Sequence, residues 1–524
     1  MKNRNPNRVI FFDTTARDGK QSPGCNFGPE ETAALARQLA MLGIDYMEAG
    51  FPVASPNDFE SVRRVAEEVG GIRCCALARA LDKDIETAAR ALEKALETPR
   101  IHIFIASSDI HLKSKLRVRP EEAIAMTVSA IKKAHRYTDD VEFSPEDSSR
   151  TGFDFLKRIV AAAISAGAVT INIPDTVGYA TGDEFGNIIK KLINEVPVIS
   201  EKNIVISVHC HNDLGLATAN TLAGLKNGAR QAECTINGIG ERAGNTHFAE
   251  IAMNLITRKD CYGLETKINT KQIGPTSRLL TAIINKPVSD TLPIVGANVF
   301  RHSSGIHQDG VLKAAKNYEI ITPNIVGWQG ETFPLTGQSG RNGLKKRLKD
   351  IGFDFEGADL DKFYQKFIAL ADTKTFVYNS DLQMLLQEME AERHAQSDRW
   401  IKLVRVDYHK ISDARSVTVR LVANDREFEA SGSGNGPVSS VWDAIKNALS
   451  RNKLWPENVK LTDFDVGKGA GGVEAIGTAL VKINCDSKTA FGRGTDTDII
   501  VACAKAHIAA IDHLIHSPLA LLVV

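Results

Sequence analysis

Between residues 9 and about 235 the chain repeats one pattern: a short apolar run, a polar loop, then an amphipathic stretch. The apolar runs cover 9–12, 46–49, 73–78, 101–106, 141–143, 170–173, 205–208 and 230–235. Each is short and bounded by polar turns, as expected of buried strands. The stretches between them carry apolar residues at helical spacing, as in Leu156, Ile159, Val160 and Ala163. Eight strands alternating with helices predict a parallel (β/α)8 TIM barrel rather than a shorter doubly wound sheet. Polar side chains gather at the strand ends: Asp13, Arg17 and Asp18; Glu48; Arg79; Ser107; Glu142, Ser144 and Glu146; Asp175 and Thr176; His209, His211 and Asp213; Asn237, Glu241 and Asn245. In such barrels the C-terminal strand ends carry the chemistry, so these residues are expected to face one mouth.

The pattern changes at about residue 272. From 272 to 398 helical periodicity dominates, interrupted by a Gly- and His-rich insert at 301–310, and the charged stretch 388–399 reads as a boundary. From 399 onward an internal repeat appears. Ala430-Ser431-Gly432-Ser433-Gly434 matches Ala490-Phe491-Gly492-Arg493-Gly494, and Val441 and Ala444 align with Val501 and Ala504. Each copy is expected to hold strands, a G-x-G turn and an amphipathic helix, an α+β domain built on a ββα-type repeat. The expected division is 1–271 barrel, 272–398 helical accessory region and 399–524 C-terminal domain. A duplicated unit of this kind offers a seam for a small ligand, but a fold alone does not fix a function.

Composition narrows the classes. A chain of 524 residues is too long for one core. Lys plus Arg equals Asp plus Glu at 64 each, which argues against a general nucleic-acid or anionic-membrane surface. The eight cysteines are scattered with no C-x-x-C pair, as expected of reduced cytosolic thiols. No apolar run suits a signal peptide or membrane span, so a soluble cytoplasmic protein is expected.

The chemistry concentrates in a few places. In His209-Cys210-His211, at a strand end, alternation sends both imidazoles to one face and Cys210 to the other. Two imidazoles on one face are half of a divalent metal site, though two hydrogen-bonded histidines would read the same. Asp18 follows the first strand, and barrel closure brings the first strand near the seventh and eighth. Asp18, His209, His211 and Asn245 are then candidates to share one cation, with mixed N and O donors and room for substrate. Arg17, beside them, suits an anionic substrate or a carbonyl gaining charge. The loop 237–245 spells G-x-G-x-x-x-G and follows the last strand, which excludes a dinucleotide fingerprint. His302 and His307, among Gly and Ser, read equally as solvated loop residues.

These motifs together resemble the α-isopropylmalate synthase/homocitrate synthase family, and within it the 2-isopropylmalate synthases. The resemblance rests on Asp13-Thr14-Thr15-Ala16-Arg17-Asp18-Gly19, Gly50-Phe51-Pro52, Phe143-Ser144-Pro145-Glu146-Asp147, His209-Cys210-His211, residues 237–245 and Ser304-Gly305-Ile306-His307-Gln308-Asp309-Gly310, and it spans the whole chain.

The resemblance implies an acyltransferase that condenses acetyl-CoA with 2-oxoisovalerate in leucine biosynthesis. It implies Asp18, His209, His211 and Asn245 as ligands of a divalent ion, Mn2+ first, with Mg2+, Zn2+ or Co2+ as alternatives and K+ as a candidate activator. Arg17 matches the arginine that polarises the 2-oxo group, and Glu146 and Thr176 match 2-oxo acid contacts. Leu77, His102 and Ser144 match the side-chain pocket. His307 and Tyr318 match accessory residues that assist catalysis across a swapped homodimer, with a tetramer also compatible. The C-terminal domain matches a leucine-binding, feedback-inhibited module, with Gly432, Gly434, Gly492 and Gly494 as its expected ligand-side positions. Lys20 and Ala16 depart from the family's usual residues, and Lys20 is expected to tune charge near the mouth. Two rival readings are a citramalate synthase taking pyruvate and a leucine-binding regulator with a silent barrel.

Overall fold

Eight parallel strands close into a barrel: β1 (Ile10–Asp13), β2 (Tyr46–Gly50), β3 (Arg73–Arg79), β4 (Arg100–Ala106), β5 (Asp140–Glu146), β6 (Thr170–Asp175), β7 (Val205–Cys210) and β8 (Gln231–Cys234), with β8 paired back to β1. The computed structural model describes residues 5–524 except 303, 329–334, 338, 351–352, 354, 373–376, 378–380, 383, 387–388, 390–399, 412–413, 469–476, 487, 517–520 and 523–524. All eight expected strands are present, each within a few residues of its apolar run. Helices fill the connections for local reasons. The helix Pro29–Leu42 starts on a proline in its first turn, Glu31 accepts from the Gly28 N–H at 3.0 Å, and Gly43 ends it in the left-handed region at φ 90°.

Alternation divides each strand between two environments. Outward residues such as Phe11, Met47, Ile101, Ile103, Phe143, Ile171, Ile173, Val208 and Cys210 pack with the helices in one continuous core. The barrel interior is polar instead. At its floor, fully buried Arg100 reaches Asp140 at 2.8 Å, Glu142 at 2.6 Å and Gln231 at 2.9 Å, over the Tyr46 ring at 3.7 Å. Higher in the barrel the interior positions are Glu48, His102, Ser144, Asn172, His209 and Glu233, all buried.

The contacts divide the chain into two compact units. The first comprises Met1–Arg301 and Glu319–Gly330. It extends past residue 271 because Ile273 and Leu280 of the helix Ile273–Ile284 are buried in the barrel's own core. The second comprises His302–Tyr318 and Glu331–Val524. It contains a helical cluster around Leu344, Leu348, Phe363 and Phe367. The expected boundary at 388–399 lies almost wholly outside the described residues.

The repeat is real, with two corrections. Each copy holds three strands and a helix, not two strands: β9 (Ile401–Ile411), β10 (Ala414–Ala423) and β11 (Arg426–Ser433) with the helix Pro437–Ser450, then β12 (Val459–Lys468), β13 (Gly477–Cys485) and β14 (Lys488–Asp496) with the helix Ile499–His516. A short β15 (Leu521–Leu522) adds to the edge of β14. The G-x-G segments are not turns. Gly432 lies in β11 with Gly434 directly after it, and Gly492 and Gly494 lie in β14. A Cβ at Gly432 would strike the backbone of Asp443 and Ala444, one at Gly434 would strike Ser439, and those at Gly492 and Gly494 would strike Ala506 and Ala502. The glycines therefore let each helix lie close on its own sheet.

Candidate active site and metal centre

The mouth of the barrel holds a cavity of about 340 Å³ lined by Arg17, Asp18, Leu77, His102, Ser144, Glu146, Thr176, His209 and His211, all expected from the sequence. Asp18 leaves the end of β1 in a tight turn whose backbone donates to Thr14 O. His209 and His211 leave the end of β7 on one face, and Cys210 turns into the outer core. The Nε2 atoms of both histidines lie 3.5 Å from Asp18 Oδ2, with all three side chains buried. Ligand atoms of Asp18, His209 and His211 fall within 4.8 Å of one another, a spacing that suits one shared cation. Asn245 joins them through a backbone bridge to His211, and its Nδ2 donates to Asp18 Oδ2 at 2.6 Å. Its Oδ1 is buried without a hydrogen-bond partner, as is His211 Nδ1. Gly240 makes room for that amide, since a Cβ there would collide with Asn245 Oδ1. A second trio, Glu48, Cys75 and His102, also lies within 4.8 Å. It is closed by hydrogen bonds, and burial and nearby carboxylates push the Cys75 thiol well up, so it is not an open thiolate site.

Arg17 sits among three carboxylates: 2.9 Å from Asp18, paired with Glu48, and 3.2 Å from Glu233. Burial alone would push Asp18 and Glu48 up. For Asp18 the charge of Arg17, then that of His209, outweighs burial and holds the carboxyl well below the usual range. For Glu48, Arg17 and His102 do the same. Of the five N–H donors of the Arg17 guanidinium, Nε donates to Glu48 and Nη2 to Glu233, while Nη1 lies 2.9 Å from Asp18, and the group lines the cavity. Burial opposes a charge on His102, but Glu48 at 2.8 Å outweighs it and raises the imidazole's pKa. The other ring nitrogen of His102 lies 2.6 Å from Ser144 Oγ. Burial, then the charge of His209, lowers His211 to about 3, so its imidazole is neutral and free to donate a lone pair.

At the rim, Glu146 takes Lys115 at 2.6 and 2.8 Å, and Thr176 Oγ1 accepts from the Asp147 N–H at 2.9 Å. Lys20 pairs with Asp58 at 3.0 Å and does not line the cavity, so it adds no free charge there. His307 and Tyr318 lie in the second unit, ring centroids 4.4 Å apart. Cavity-lining residues given no role from the sequence include Phe104, Lys115, Asn172 and Glu233. The signal for Glu233 was present in Gln231-Ala232-Glu233-Cys234, where a polar residue at every second position marks an inward face.

Comparison with known proteins decides the family. The HMGL-like family profile matches residues 8–280, the homocitrate synthase post-HMGL domain-like profile 294–375, and the LeuA allosteric (dimerisation) domain profile 376–515. The 2-isopropylmalate synthase of Heliobacterium modesticaldum is 47% identical over 513 residues, 97% of each chain. That of Aquifex aeolicus is 46% identical over 515 residues, 97% of this chain and 96% of its own. The chain belongs to the 2-isopropylmalate synthase family. An HMG-CoA lyase structure from Brucella melitensis is also similar, at TM-score 0.45 and 21% identity over 53% of this chain and 99% of that one. As a 2-isopropylmalate synthase family member this is an acyl-transferring condensing enzyme of leucine biosynthesis, from a divalent-metal-dependent group. No helix among the described residues is long and apolar enough to cross a membrane.

Proposed function

We propose that the chain condenses acetyl-CoA with 2-oxoisovalerate and water, giving 2-isopropylmalate and free CoA. The observation that carries the reading is the single buried cluster of Asp18, His209 and His211 beside Arg17, at one end of a cavity whose wall includes Leu77, His102 and Ser144. Asp18, His209, His211 and Asn245 are the residues that would hold a divalent ion. The unpartnered Oδ1 of Asn245 fits this, because turning the amide over would present that oxygen to the cluster. When bound, the ion serves as a Lewis acid toward the 2-oxo acid.

The rest follows from the chain's own groups. Arg17, at the cavity wall, donates N–H bonds to the carbonyl oxygen that strengthen as it gains charge. Thr176 and Glu146 stand at the rim as contacts for the 2-oxo acid, and Leu77 and small Ser144 leave volume for its isopropyl group. A base takes a proton from the acetyl methyl, for which Glu146 and His307 are the candidates, with Tyr318 beside His307. The resulting carbon nucleophile attacks the 2-oxo carbon, and water then cleaves the thioester to release CoA. The resemblance also assigns Mn2+ as the ion, K+ as an activator, leucine as feedback inhibitor of the C-terminal domain, and a homodimeric cytoplasmic enzyme.

The test is CoA release across a series of 2-oxo acids, with and without chelator and leucine. The reading expects 2-oxoisovalerate to be preferred and chelator to abolish turnover. Pocket volume discriminates by only about 1–3 kcal/mol per methylene, so slower turnover of other short 2-oxo acids is expected. A strong preference for pyruvate, or full activity without metal, overturns it.

A further inference from the structure

We infer that Glu233 is a positioning residue that sets His209 for cation binding and ties that imidazole to Arg17. Glu233 lies on β8, directly beside His209 of β7 on one side and Phe12 of β1 on the other. It therefore stands between the two strands that deliver His209 and the Arg17-Asp18 turn. Its side chain is fully buried. Oε1 is 2.9 Å from His209 Nδ1 and 3.2 Å from Arg17 Nη2, and Oε2 accepts from Asn172 Nδ2 at 2.8 Å. Asn172 Nδ2 also donates to Ser144 Oγ at 3.0 Å, which in turn meets His102.

One carboxylate oxygen thus serves both groups. His209 Nδ1 is buried without an aligned hydrogen bond, and Glu233 Oε1 is the carboxylate oxygen 2.9 Å from it, so the proton of neutral His209 belongs on Nδ1 and the Nε2 lone pair is left for Asp18 and the cluster. The same oxygen holds Arg17 beside the cluster while Asp18 remains a ligand rather than the arginine's sole counter-charge. Glu233 borders the cavity, but its side chain is fully buried and its oxygens lie against His209, Arg17 and Asn172, so its effect runs through those groups. The inference rests on the cation site proposed above.

The test uses metal-free full-length protein titrated with Mn2+ and followed by the loss of free-ion electron paramagnetic resonance signal. Uptake by the wild-type chain, abolished in Asp18→Ala, tests the cation site itself. The ratio of Glu233→Gln to wild type tests positioning alone. Removing such a carboxylate partner is expected to weaken Mn2+ binding about 10–100-fold. Glu233→Asp, which keeps the charge but withdraws it, is expected to fall between the two. In 15N spectra of the metal-free protein, taken at a pH high enough to make His209 neutral despite its raised pKa, the single Nδ1–H form is expected to give way to a tautomer mixture in Glu233→Gln. Circular dichroism checks that each variant is folded. Mn2+ affinity within twofold of wild type in folded Glu233→Gln, with the His209 tautomer unchanged, would overturn the inference. If Mn2+ uptake depends on Glu233 but no 2-oxo acid gives CoA release, the proposed reaction fails and the positioning role stands.

Discussion

The barrel interior holds two buried charge clusters, one at the floor and one at the mouth, and they differ in completeness. At the floor, Arg100 has Asp140, Glu142, Gln231, Thr170 and the Tyr46 ring around it. Gln231 closes back on Glu142 at 2.8 Å and Ser207 at 3.0 Å, and no polar side-chain atom of this group is buried without a partner. At the mouth, Arg17 is shared by three carboxylates, and Asn172 Oδ1, His209 Nδ1, His211 Nδ1 and Asn245 Oδ1 are buried without hydrogen-bond partners. Unsatisfied buried polar atoms cost stability unless something completes them. The floor is finished by the chain itself and reads as architecture. The mouth has excess carboxylate and buried N and O atoms left over, the mixed donor set that a cation site needs.

That contrast can be broken in order of expected size. Arg100→Leu strands two buried carboxylates, so it should cost about 3–5 kcal/mol of stability, read from the urea midpoint. Its folded fraction should still bind Mn2+; loss of binding there would tie floor and mouth together and end the contrast. Asp18→Ala should do the reverse. Arg17 keeps Glu48 and Glu233, so stability of the metal-free protein should move by only about 1 kcal/mol. Turnover should fall about a thousandfold, equivalent to about 4 kcal/mol. Mn2+ at a hundred times its Kd should stabilise the wild-type chain by about 2.7 kcal/mol in thermal unfolding and leave Asp18→Ala unmoved.

The smallest effect concerns pH. His211 is lowered to about 3 by burial and then by His209, below the ordinary value near 6.5. The unfolded chain therefore takes up the proton first as pH falls. The stability tied to neutral His211 is complete above about pH 6.5 and drains as pH drops toward about 3. Glu233 holds His209 up, burial notwithstanding, and so gives the opposite sign. The measurement is the difference from His211→Gln without metal, which should lose about 2 kcal/mol less than wild type between pH 6.5 and 4. Equal losses in both proteins would show that His211 is not held neutral.

Much of this was legible in one dimension. Short apolar runs and helical spacing between them were enough for eight strands and their order, because a parallel barrel leaves little freedom once strands and helices alternate along the chain. The spacing in His209-Cys210-His211 foretold which side chains share a face, for the same reason. Lys20 was misjudged because its partner, Asp58, lies far along the chain and only folding brings them to 3.0 Å. The G-x-G segments read as turns because glycine commonly marks turns; whether it instead admits a helix against a strand depends on an element that sequence does not place.

Local chemistry along the chain, then, determined the element types, the inward and outward faces of each strand, and the residue types able to bind a cation. Those follow from backbone geometry and side-chain polarity, which act over a few residues. Only the closed structure decided which distant groups share an atom: Glu233 with both His209 and Arg17, Asn245 with Asp18, Arg100 with Asp140 and Glu142. Pairing of that kind depends on contacts of 2.6 to 3.2 Å set by barrel closure and register, and no periodicity in the chain encodes them.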